Sequence, residues 1–142
     1  MTLDRELITS TALSLLKPRV KFKPYGRNPK YGFDCIGVVT WVGKQCGYLP
    51  ADYKLPLYAY PPQPELFEHF NEMAVRRDGP EAGCIAIFAP AGLPQHSGIV
   101  VQADGQWQCI GIDLYTQHRP WVTISPLDQS KVWRFYDYVA QS

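Results

Sequence analysis

Cys35 and His96 are the residues of this chain whose types and settings best fit nucleophilic chemistry. Cys35 follows Asp34 in YGFDCIGVVTWVGKQCGYLP, where a helical pattern begins. A thiol in the first turn of a helix meets unpaired backbone N–H groups and the positive end of the dipole, which favour the thiolate. That setting lowers a cysteine pKa from about 8.5 towards neutrality or below. The same amides can receive the negative oxygen of a tetrahedral intermediate. The plain alternative is a small apolar residue at a helix start. His96 opens an apolar strand in AGLPQHSGIVV. From there an imidazole can face a helix amino terminus packed on the sheet and serve as its base; by itself it also fits a satisfied histidine at the core edge. His69, beside Phe67 and Phe70 in a helical stretch, reads as a surface or boundary residue, and His118 in LYTQHRP as solvated.

Positioning those two residues takes a helix and a sheet, and the pattern supplies both. Residues 4–17 place Ile8, Ala12, Leu15 and Leu16 on one helical face, with Asp4 and Glu6 at the start, and Pro18 ends the run. A loop broken by Pro24, Gly26, Pro29 and Gly32 leads to a second helix over 35–46, with Ile36, Val39, Val42 and Cys46 inward and Gly47 as its stop. Residues 48–63 form an irregular crossing. Its Tyr48, Tyr53, Tyr58 and Tyr60 either wall a substrate groove or pack the crossing onto the domain. Pro64 opens a third helix through about Arg77, carrying Leu66, Phe70 and Met73 inward. Five strands follow, at 83–89, 96–102, 106–112, 119–125 and 131–138, with a hairpin at Ala103-Asp104-Gly105. Helices first and a strand meander second predict an α+β fold, one domain over 1–142, with N-terminal helices packed on a roughly five-stranded antiparallel sheet.

Bulk properties narrow the function. The 142 residues are 46% hydrophobic and 19% charged, as in an ordinary globule, and the formal net charge of +1 gives no broad footprint for nucleic acid. The charged amino terminus, MTLDRELITS, does not read as a signal peptide, and no run has the length of a membrane span. The expected site of synthesis is therefore the cytoplasm, with no membrane partner. The four cysteines at 35, 46, 84 and 109 show neither a CxxC pair nor zinc-finger spacing, so no metal or other cofactor is expected. Cys84 and Cys109 lie in apolar runs and read as inert core thiols.

These blocks carry a resemblance. DCIGVVTWVGKQCGYLP is similar to the DCxGLVxxVxxxxGxxLP block of the NlpC/P60 family of papain-like cysteine peptidases. The lead-in KPYGRNPKYGFDC resembles that family's PYxxGG…DC approach, and GCIAIFAPAGLPQHSGIVV its PGDLVFF…HVGIYL block. The match runs over roughly residues 20–112. It implies Cys35 as nucleophile, His96 as general base, and Tyr25 as the tyrosine beside the cysteine and a further oxyanion donor. Asp34 is either a helix cap or part of the substrate and oxyanion region. The implied activity is hydrolysis of amide bonds in peptidoglycan stem peptides, often γ-D-glutamyl to diamino-acid links. PQHSGIV and the WRFYDYV ending most resemble short bacteriophage tail-associated members, which implies tail proteins as partners and a virion or cell-wall destination. An interbacterial amidase toxin with an immunity protein, or a non-catalytic docking module of a tail assembly, are the competing readings.

Two departures from the pattern stand out. The family's Gly-Asp before the second strand is Gly83-Cys84, which alters solvation near the site. The third residue, a histidine in the family's IHA segment that orients the base, has no counterpart in QWQCIGID. The hydrophobic pattern puts Gly111 at that position. Asp113, which shares a strand face with it, is the favoured substitute, and Gln108 is another polar possibility.

Overall fold

A computed structural model describes residues 2–60, 62–112 and 119–140. Helix α1 spans Arg5–Leu13, capped by Asp4 accepting from the Leu7 N–H. It ends a turn before Pro18, with Leu15 still buried beneath it. A two-stranded ribbon, β1 (Arg27–Asn28) and β2 (Gly32–Phe33), precedes α2, Cys35–Gln45. The valines and threonine of α2 are poor helix formers, yet Ile36, Val38, Val39, Thr40 and Val42 are all buried, so packing overrides propensity.

The expected long third helix is two short ones, α3 (Pro64–Glu68) and α4 (Phe70–Met73), and Ala74–Arg77 is a strand, β3. The sheet consequently has six strands where five were expected. Strands β4 (Ile85–Phe88), β5 (His96–Ala103), β6 (Gln106–Gly111), β7 (Thr123–Pro126) and β8 (Val132–Tyr138) join β3 in the order β3-β8-β4-β5-β6-β7, every pair antiparallel. The β5–β6 turn has Asp104 at φ 55° and Gly105 at φ 73°, the left-handed pair that a two-residue hairpin needs.

Strand alternation divides the apolar residues into two layers. Ile85, Ile87, Ile99, Val101 and Ile110 join α1 and α2 in the main core. Cys84, Ala86, Val100 and Phe135 form a smaller cluster with Phe88 and Trp107 alongside. None of the four cysteines is in a disulfide, and burial pushes Cys84 up to about 11. No helix among the described residues is long and apolar enough to cross a membrane.

Candidate active site

Cys35 is the first residue of α2, and Asp34 is the N-cap in extended conformation. The Asp34 side chain is 1% exposed and accepts four hydrogen bonds. Oδ1 takes the Gly37 N–H at 2.7 Å and Arg27 Nη1 at 2.8 Å; Oδ2 takes the Tyr60 hydroxyl at 2.5 Å and the Tyr58 hydroxyl. Arg27 Nη2 in turn donates to the Tyr58 hydroxyl at 2.6 Å. Burial works against the Arg27 charge, but Asp34 and Tyr58 outweigh it and raise its pKa. Burial, then the Asp34 charge, drives the Tyr58 phenol far above its ordinary range, and Tyr60 rises through burial and its bond to Asp34. Both hydroxyls therefore stay protonated and donate.

The loop before the helix reaches this network because Gly37 has no side chain. A Cβ there would lie 2.2 Å from the Gly26 carbonyl oxygen. Tyr25 sits at φ 58°, with its N–H donating to the Tyr60 hydroxyl at 2.6 Å and its own hydroxyl to the Tyr58 carbonyl. Its ring lies 5.0 Å from Tyr58 and 4.8 Å from Tyr60. Asp34 is thus committed to the cap and the tyrosines, and the Tyr25 hydroxyl to a backbone carbonyl. The crossing divides by residue: Tyr58 and Tyr60 clasp Asp34, while Tyr48 stacks on Tyr138 and accepts the Asp4 N–H at 2.7 Å.

On the sheet side, Ser97 Oγ donates to the Cys35 carbonyl oxygen at 3.3 Å, in a fully buried contact. This bond joins the head of α2 to the start of β5, one residue from His96. Side chains alternate along β5: Ser97, Ile99 and Val101 turn to α2, whereas His96 shares the other face with Val100. The His96 ring stacks on Phe88, centroids 5.3 Å apart, at the beginning of its strand. A cavity of about 170 Å³ opens beside it, lined by Gly111, Thr123, Ser125 and Lys131 among others; Cys35 does not line it. A Cβ at Gly111 would stand 3.5 Å from His96 Cε1, so this bare position does border the ring. Gln108 pairs with Val101, and so lies on the α2-facing side of the register, away from the His96 face. Asp113 and His118 lie outside the described residues. His69 is a half-exposed partner of Glu72 at 3.3 Å. Cys35 itself is 7% exposed.

Arg27 and Ser97 escaped the sequence reading. The Tyr58-x-Tyr60 spacing, which puts both rings on one side of an extended segment, was the available signal for a shared polar target.

The fold is that of NlpC/P60 domains. A Staphylococcus aureus protein described as similar to lipoprotein of the NLP/P60 family superposes over 99% of this chain with a TM-score of 0.65 and 16% identity. The NlpC/p60 domain of the peptidoglycan hydrolase SagA matches over 95% of this chain and 99% of its own length, with a TM-score of 0.57 and 15% identity. An NlpC/P60 family protein from Bacillus cereus matches over 93%, with a TM-score of 0.58 and 20% identity. The chain spans 44% of the S. aureus protein and 40% of the B. cereus one. No family model matches the sequence, and no curated protein matches it.

Proposed function

We propose that the protein is a cysteine peptidase that hydrolyses amide bonds in bacterial peptidoglycan stem peptides. The observation that carries this reading is the Ser97–Cys35 bond, which sets a helix-head thiol against the strand that begins with His96. The thiolate of Cys35 attacks the peptide carbonyl carbon, and the carbonyl electron pair moves to oxygen. First-turn amides of α2 receive that oxyanion. Tyr25 could add a donor only by giving up its bond to the Tyr58 carbonyl. Collapse of the intermediate breaks the C–N bond, and protonated His96 gives the leaving amine its proton. Water, deprotonated by His96, then attacks the acyl-thioester and releases the acid and Cys35. Asp113 remains the proposed orienting residue for the ring. The likeness to a domain of a peptidoglycan hydrolase supports the substrate class. The sequence resemblance supports a bacteriophage tail as the carrier that brings the protein to the cell wall.

A docking module that keeps the fold without the chemistry is the second reading. The bare Gly111 and the alternation that puts His96 on the face away from Ser97 favour it. Digestion of purified sacculi decides between them. The wild type should release soluble muropeptides, and Cys35→Ala and His96→Ala should each lower the rate at least about a thousandfold. Equal product from wild type and Cys35→Ala would remove the nucleophile and leave the docking module.

A further inference from the structure

A second cavity, of about 280 Å³, lies between the outer side of α2 and the crossing, and neither Cys35 nor His96 lines it. Its charged lining has one sign: Arg27, Lys44 and Lys54, with no Asp or Glu among the lining residues. Asp34 already answers Arg27 at 2.8 Å. Neither Lys44 nor Lys54 is ion-paired among the described residues. Burial lowers the Lys44 pKa, the charges of Arg27 and Lys54 lower it further, and Asp52 only partly opposes them. Lys44 therefore carries its charge at a cost that an anion would relieve. Tyr53, in the same lining, has a buried hydroxyl with no hydrogen-bond partner among the described residues. That hydroxyl is closed off from solvent and feels the Glu72 charge, so contacts to a ligand fall to the lysines.

The segment that supplies Arg27 carries the same sign. Between Glu6 and Asp34 the chain has Lys17, Arg19, Lys21, Lys23, Arg27 and Lys30 and not one acid. The near-zero net charge therefore conceals a basic segment, of which Tyr25 and Arg27 line this cavity and Arg19 lines another.

We propose that this cavity is an oxyanion-binding pocket, in which Lys44 and Lys54 hold a carboxylate or phosphate carried by a larger ligand. The volume is just below the range of sites for drug-sized molecules and suits one acidic group with its nearest atoms. Lys44 lies nine residues along α2 from Cys35, about 13 Å by helical rise, so the pocket runs from the Asp34 network at the helix head, where Arg27 and Tyr58 line it, to a lysine well beyond the thiol. It goes beyond the peptidase reading and does not depend on it.

Binding should be measured on the full chain carrying Cys35→Ala, so that turnover plays no part. Three probes are titrated by calorimetry: a tripeptide with free carboxylates, the same tripeptide fully amidated, and inorganic phosphate. The acidic peptide or phosphate should bind at least tenfold tighter than the amidated peptide. That advantage should vanish in Lys44→Gln/Lys54→Gln and persist in Lys44→Arg, which also shows that the fold tolerates change there. Preference for the acidic peptide assigns the source to peptide carboxylates; preference for phosphate assigns it to a phosphate-bearing polymer. No advantage for either anion, or an advantage that survives the double substitution, would overturn the pocket. An inactive sacculus assay beside intact anion binding would reject the peptidase alone.

Discussion

The two ends of the candidate site are built in opposite ways. At the head of α2, one buried carboxylate gathers a helix amide, a guanidinium and two phenols, donors drawn from three stretches of chain. At the start of β5, the His96 ring stacks on Phe88 and borders the bare Gly111 and a cavity whose lining includes Asp128 and Lys131. The thiol end is over-determined and the imidazole end is roomy. A nucleophile at a helix head works only if the helix starts at one residue and not the next, so the cap must be rigid. A base that alternates between accepting and giving a proton has more use for space.

That contrast can be broken from the thiol end first. Asp34→Ala strips the carboxylate from the Gly37 N–H, Arg27, Tyr58 and Tyr60 at once, leaving a largely buried cation and three donors unmet. It should cost about 3 kcal/mol of stability and most of the activity, read by denaturant unfolding and the sacculus assay. A loss near 0.5 kcal/mol would mean that the network is decorative. At the imidazole end the corresponding change should be a gain. Gly111→His restores a side chain beside His96, where the nearest approach of its Cβ is 3.2 Å to the Ser97 carbonyl oxygen. It should raise kcat about tenfold with little change in melting temperature. Unchanged kcat with intact folding would show that the ring is already oriented from elsewhere.

Ser97→Ala tests the junction itself. Loss of its bond to the Cys35 carbonyl should cost about 1 kcal/mol and slow turnover, while the unfolding slope stays unchanged. The smallest effect belongs to Cys84, a thiol with no helix head to help it. Its folded pKa of about 11 lies above the roughly 8.5 of an unfolded thiol, so folding favours the protonated form. Its contribution to stability is complete below pH 8.5 and declines as pH rises through 11. Alkylation of native protein at pH 8 should therefore label Cys35 and spare Cys84, with mass spectrometry locating the adduct.

How far the chain could be read depended on the range of the interactions. The second helix, its Asp34 cap and the β5–β6 hairpin are set by residues within a few positions of one another, and their positions were legible. Ala74–Arg77 was not: AVRR continues a helical stretch, and only pairing with β8, some sixty residues on, makes it a strand. The same holds within the site. Asp34 before Cys35 was visible as a cap, but its tyrosines arrive from an irregular crossing whose path no local pattern encodes. Ser97 looked like any small residue in an apolar strand until its partner across the core was known.

The clasp on Asp34 has a consequence for how this molecule can change over evolutionary time. Because Tyr58 and Tyr60 pin the far end of the crossing directly to the cap, the stretch between Pro50 and Leu57 hangs from two fixed posts. Its length and character can drift, as the nearly bare Leu57 already suggests at 95% exposure, without tilting the helix that presents the sulfur. The wall that the crossing gives to the basic cavity can thereby be rewritten while the helix that carries the sulfur is inherited.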